Sequence, residues 1–119
     1  MKIIIAGNGG FAREVRDYLM TRQIHVARYL ADNDPACMPI DAYERKDDEQ
    51  VIVAIADPEG RKAVVERLAE RGAVFHGMQM NVAASSSRLG GGSILCPTSL
   101  VSAGANVGNF VHVNVMSSI

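Results

Sequence analysis

LGGGSI LCPTSL VSAGAN VGNFVH VNVMSS I: written in sixes, residues 89–119 place an aliphatic side chain at the head of every block, Leu89, Leu95, Val101, Val107, Val113 and Ile119. Four positions after each head stand Ser93, Ser99, Ala105, Val111 and Ser117, nearly all small. An α-helix would repeat its apolar residues every 3.6 positions and an exposed strand every 2. A period of six fits neither. It fits a chain that coils over flat faces, three blocks to a triangular turn. The aliphatic residue points into the prism, and the small residue sits near a corner where a larger one would clash. The spacing therefore predicts the start of a left-handed parallel β-helix over 89–119, with Leu89, Leu95, Val101, Val107 and Val113 inward.

Upstream the sequence changes character. Lys2 to Ala6 (KIIIA) is a short β-branched run suited to a strand buried on both faces of a parallel sheet. Gly7-Asn8-Gly9-Gly10 interrupts it. From Phe11 the period turns helical, with Val15, Tyr18 and Leu19 on one side. Val26 to Leu30 (VARYL) reads as a second strand and Asp32-Asn33-Asp34-Pro35 as the turn that ends it. Val51 to Ala56 reads as a third strand. Asp57-Pro58 caps a helix over about 59–71 that buries Val64, Val65 and Leu68, and Gly72 stops it. A short run at Ala73 to Phe75 offers a last strand. The expected organisation is a Rossmann-like α/β domain over 1–77, a linker over 78–88 and an incomplete β-helix over 89–119.

The chemistry sits at the first strand-to-helix turn. Gly7, Gly9 and Ala12 fit G-x-G-x-x-G/A, in which glycine lets a phosphate approach main-chain N–H groups and the helix N-terminus adds partial positive charge. Asp32 closes the second strand, where a carboxylate accepts hydrogen bonds from a ribose or base. Net charge is −1, which gives no electrostatic case for nucleic acid or a membrane surface. The amino-terminal apolar run is too short for a signal peptide or membrane span, so a cytoplasmic location is expected. Cys37 and Cys96 lack metal-site spacing and read as idle thiols, no metal is expected, and Asp47-Asp48-Glu49 reads as a solvated loop.

The chain resembles the amino-terminal part of the bacterial nucleotide-sugar N- or O-acetyltransferases of the sialic acid, bacillosamine and perosamine pathways. Gly7 to Gly10 with Val15, Leu30 to Asn33, Ile55-Ala56-Asp57 with Arg61, and the blocks from Leu89 carry the likeness. The resemblance implies that Gly7, Asn8, Gly9, Gly10, Asp32, Asn33, Ile55 and Ala56 hold a UDP-sugar or similar nucleotide sugar. It implies a homotrimer, acetyl-CoA as co-substrate, a role in surface polysaccharide or glycan biosynthesis, and a histidine general base. That histidine is expected just after Ile119, so no catalytic residue is assigned here, and the sequence is expected to be a fragment, a truncated product or a domain with another role. His25, His76 and His112 do not replace it convincingly. Two rival readings stay open. A non-catalytic nucleotide-binding or assembly module would need no base. A nicotinamide-binding (NAD) protein would use the same glycine loop and Asp32, but leaves the blocks of six unexplained.

Overall fold

The structure is a computed structural model that describes residues 1–119. The chain divides into two compact units, Met1–Phe75 and His76–Ile119.

In the first unit, β1 (Lys2–Ala6) is flanked by β2 (Val26–Leu30) and β3 (Glu49–Val53), all parallel, in the order β2-β1-β3. A central strand must be apolar on both faces, and Ile3, Ile4, Ile5 and Ala6 are all buried. Helix α1 (Gly10–Thr21) buries Ala12, Val15 and Leu19, an i, i+3, i+7 stripe. Helix α2 (Pro58–Glu70) packs Leu68, with Val64 and Val65 beside it, against Ile4, Ala6, Val51 and Val53. Each fully buried aliphatic side chain contributes roughly 1.5–3 kcal/mol. Asp57 caps α2 as expected, accepting from the Gly60 amide at 2.8 Å with Pro58 in the first turn. The run at 73–75 reduces to one bridge, Val51 to Phe75. The third strand ends at Val53 rather than Ala56, which frees 54–56 as a loop.

Asp47 and Asp48 are exposed in a turn as expected, but Glu49 corrects the expectation of a solvated loop. Glu49 is buried. Its carboxylate accepts from Arg28 at 2.9 Å, from the Lys46 amide at 3.0 Å and from the Tyr43 hydroxyl at 3.4 Å. Burial pushes its carboxyl up, but the Lys46 amide and the Arg28 guanidinium together hold it below the usual glutamate value. Arg28 also lies 5.4 Å from the Tyr43 ring centre, and its Nε has no partner.

The second unit is built from two-residue strands: β4 (Met78–Gln79), β5 (Val82–Ala83), β6 (Arg88–Leu89), β7 (Ile94–Leu95), β8 (Leu100–Val101), β9 (Asn106–Val107) and β10 (His112–Val113). They form three parallel ladders, β4-β7-β10, β5-β8 and β6-β9, and Leu100 bridges on to Ser118. Successive strands therefore occupy successive ladders before the chain returns to the first. Residues 78–88, expected as a linker, already carry β4, β5 and the start of β6. Leu95, Val101, Val107 and Val113 make one buried cluster, as their spacing predicts. Leu89 does not join it and is 37% exposed. Its strand β6 has a ladder neighbour only on the β9 side.

Left-handed backbone recurs at Gly92, Thr98, Gly104, Phe110 and Met116, the corner residue of each block. Stacked backbones also explain Gly90: a Cβ there would lie 2.2 Å from the Gly108 carbonyl oxygen. Side chains tie adjacent turns together. Ser93 Oγ donates to Gly108 O and accepts from the Val111 amide, and Asn109 accepts from the Gly91 amide. No helix is long and apolar enough to cross a membrane.

Candidate functional site

The three strands of the first unit end side by side, and the loops that leave them enclose a cleft of about 320 Å³. Ligand clefts of parallel sheets form at these carboxyl ends. All eight residues singled out from the sequence line it: Gly7, Asn8, Gly9 and Gly10 after β1, Asp32 and Asn33 after β2, and Ile55 and Ala56 after β3. Phe11, Leu30, Ala31, Ile40, Ala54 and Val64 complete the lining. The cleft is thus apolar in the main, with a glycine loop at one wall and the Asp32 carboxylate and Asn33 amide at another.

The glycines divide into two kinds. Gly7 has φ +122° and a Cβ there would meet the Ala54 carbonyl oxygen at 2.6 Å, so packing of β1 on β3 demands glycine. Gly9 and Gly10 have ordinary backbone, and a Cβ on either would meet nothing within 4 Å. The fold itself places no demand there. Gly9 is the cap residue of α1, with no side chain capping the helix and no acidic residue in its first turn. The positive end of the helix dipole is therefore met by no cap side chain and no acidic residue of the helix itself.

Each wall is fastened by side chains. Asn8 Nδ2 donates to Asp34 Oδ2 at 3.2 Å, tying the glycine loop to the loop after β2. Asp34 Oδ1 accepts from the Ala36 amide, and that bond, followed by the Asn8 bond, holds the Asp34 carboxyl below the usual aspartate range. Arg61 donates to Ile55 O at 3.0 Å and to Ala56 O at 2.9 Å, fixing the loop after β3, and burial pushes its guanidinium pKa down.

Asp32 is engaged on both oxygens. Oδ1 accepts from the Ile40 amide at 2.9 Å, and Oδ2 pairs with Arg67 of α2 at 2.8 Å. Arg67, then the Ile40 amide, holds its carboxyl below the ordinary aspartate value. The residue expected to face a ribose or base is thus also a strut within the protein. Asp34, Arg61 and Arg67 were not assigned to the site from the sequence. The partners, Asn8 for Asp34 and Asp32 and Asp41 for Arg67, lie far along the chain, while Arg61 reaches main-chain carbonyls, which no side-chain spacing marks.

Among the histidines, His76 opens the second unit and burial lowers its pKa, while His112 is half-buried on β10. No group of three or more His, Cys, Asp or Glu comes together as a metal site, and Cys37 and Cys96 are free thiols.

A small Rossmann-like α/β unit with a glycine loop and a cleft at its sheet's carboxyl edge defines the class of the first unit. Residues 2–68 match the family described as the PglD N-terminal domain, and the chain belongs to that family. Comparison with curated protein sequences gives no match. Among solved structures, PerB from Caulobacter crescentus, crystallised with CoA and GDP-perosamine, is similar at 22% identity and a TM-score of 0.86, over 100% of this chain and 62% of that one. The acetyltransferase domain of PglB from Neisseria gonorrhoeae is similar at 18% identity and a TM-score of 0.76, over 99% and 64%. WeeI from Acinetobacter baumannii is similar at 24% identity and a TM-score of 0.77, over 100% and 63%. These likenesses establish the fold across both units. The chain spans less than two thirds of the length of each of these structures.

Proposed function

We propose that the cleft of the first unit binds the nucleotide part of a nucleotide-linked sugar, and that the chain is the amino-terminal portion of an acetyltransferase acting on that sugar. The observation that carries this reading is the convergence of Gly9, Gly10, Asp32, Asn33, Ile55 and Ala56 on one cleft. Within it the Gly9 and Gly10 backbone stands open and the start of α1 is uncapped. An open glycine backbone at a helix N-terminus suits a diphosphate. The similar Caulobacter protein holds CoA and GDP-perosamine, and a similar Neisseria structure holds acetyl coenzyme A. In this reading acetyl-CoA is the acyl donor and a sugar amine or hydroxyl the acceptor. Both substrates are cytoplasmic metabolites, so the reading carries a cytoplasmic location.

We read the three-ladder unit as the opening of a left-handed parallel β-helix that assembles as a homotrimer. Three ladders, a return to the same ladder after three blocks, and a left-handed corner residue in every block support it. Sedimentation equilibrium tests the assembly: a monomer at all concentrations overturns the trimer.

Calorimetry with a UDP-hexose, a GDP-hexose and NAD tests the ligand. Binding of either sugar nucleotide with no heat from NAD is the expected result, and the ratio of the two affinities names the base. Tight NAD binding with none for the sugar nucleotides overturns the reading in favour of a nicotinamide-binding protein.

A further inference from the structure

We propose that Arg67, which does not line the cleft, is a positioning residue for ligand binding: by bridging Asp32 and Asp41 it fixes the wall that receives the nucleotide. The inference rests on the nucleotide-sugar reading of the cleft.

The wall in question runs from Leu30 to Asn33 and returns at Ile40, all of which line the cleft. A single carboxylate spans it. Asp32 Oδ1 holds the Ile40 amide at 2.9 Å, where the chain enters the short 3-10 turn Ile40–Ala42. Arg67 Nη1 donates to the other oxygen at 2.8 Å, while Arg67 Nε donates to Asp41 Oδ1 at 3.0 Å. One guanidinium on α2 thus grips both ends of the loop after β2. Arg suits this task because its planar fork presents N–H groups in two fixed directions, which a lysine ammonium does not. Val64, one turn earlier on the same helix, reaches the cleft lining itself, so α2 is already part of the wall that the bridge completes.

Charge gives the bridge a second consequence. A diphosphate approaching the glycine loop would meet Asp32 as a like charge. Arg67 lies against that carboxylate and offsets it. Removing the guanidinium leaves Asp32 and Asp41 uncompensated and releases the loop. Both effects weaken anion binding without touching the ligand.

The test titrates UDP and GDP into the full chain and into R67Q, R67K and K62Q. Lys62 is an exposed cation on the same helix that has no part in the bridge, so K62Q removes equal charge. Affinity for the better nucleotide should fall about ten-fold in R67Q, as expected for lost hydrogen bonds to charged groups. It should be partly restored in R67K and unchanged in K62Q. The Asp32 carboxyl, followed by NMR, should titrate at higher pH in R67Q than in the parent. Equal affinity in parent and R67Q, or equal weakening in K62Q, overturns the positioning role. If R67Q unfolds, R67K decides alone: full parental affinity with the Asp32 titration unmoved overturns it. Absence of any UDP or GDP binding by the parent chain is a separate result, which sinks the reading of the cleft itself.

Discussion

The glycines that matter most in the two units, Gly90 and Gly92 in the ladders and Gly9 and Gly10 at the cleft, are there for opposite reasons. In the ladder unit Gly90 and Gly92 are demands of the fold. Gly90 is packed under the Gly108 carbonyl, and Gly92 has φ +70° with the Phe110 ring where a Cβ would stand. In the α/β unit Gly7, with φ +122°, and Gly72, with φ +78°, are of this kind, whereas Gly9 and Gly10 face open space with ordinary backbone. A glycine the fold does not need is evidence of a different sort from one it does. Gly90 and Gly92 report stacking, and Gly9 and Gly10, at the mouth of the cleft, report room kept for something else.

The largest effect that would break this contrast is in the ladder core. Val101 is fully buried among Leu95, Val107 and Val113. Val101→Asp places an unpaired charge there and should cost several kcal/mol, on the order of the ~3–5 found for uncompensated buried charges. Urea denaturation followed by hydrogen exchange should show residues 76–119 exchanging freely. Residues 1–75, with a core of their own, should keep their protection. Loss of protection in both units together would mean that they do not fold as separate cores.

Next in size is the buried acid of the α/β unit. Glu49→Gln removes the charge that Arg28 faces and should cost about 3 kcal/mol at neutral pH. Because the folded pKa of Glu49 lies below its ordinary 4.5, its contribution is fully present above that value. It is lost as pH falls through the lower, folded value. The stability gap between parent and variant should therefore be constant from pH 7 to about 5 and narrow on further acidification. A gap that widens in acid would mean that the carboxyl is held neutral.

Which features were legible in the sequence follows the range of the interactions behind them. VARYL as a strand at 26–30 and the Asp57-Pro58 helix start depend on neighbours within a turn, and both appear in place. The four inward aliphatics were legible because identical turns repeat. The first turn was not, since it breaks the repeat: Met78 pairs with Ile94 while Val82 pairs with Leu100, so β4 sits two residues out of phase with the blocks that follow. Leu89 was overassigned because a period gives direction and says nothing of what stacks above or below. Glu49 was misread, and the pairing of Asp32 went unseen, because their charge partners, Arg28 and Arg67, lie on other elements. The cleft lining itself was legible because parallel strands bring their carboxyl ends together whatever the side chains.

A graded glycine series sharpens the comparison at smaller energies. Gly90→Ala meets backbone and Gly92→Ala meets both strain and the Phe110 ring, so each should cost about 1–3 kcal/mol. Gly104→Ala carries strain alone, with φ +73° and open space, and should cost about 1 kcal/mol. Gly9→Ala meets nothing and needs no left-handed backbone, so it should cost less than about 1 kcal/mol, the amount by which alanine caps a helix less well than glycine. Thermal denaturation of the four variants checks the order, and a costly Gly9→Ala would mean that the fold needs that glycine after all.

The smallest expected change in stability is also the one that separates fold from function. The two helices of the α/β unit begin differently: α2 carries Asp57, whose carboxylate accepts from the Gly60 amide, and α1 begins at Gly9 with no capping side chain. By capping propensity alone, Gly9→Asp should be neutral or stabilise the protein by a few tenths of a kcal/mol. A negative charge at the helix start adds to this in the same direction. If the start of α1 is kept bare for a diphosphate, the same substitution fills the space and sets a carboxylate against the ligand's negative charge. Binding of UDP or GDP should then be lost while the melting temperature holds or rises. An Asp variant that binds either nucleotide as the parent does would show that the phosphates do not lie at Gly9, and would leave the bare cap of α1 without a functional explanation.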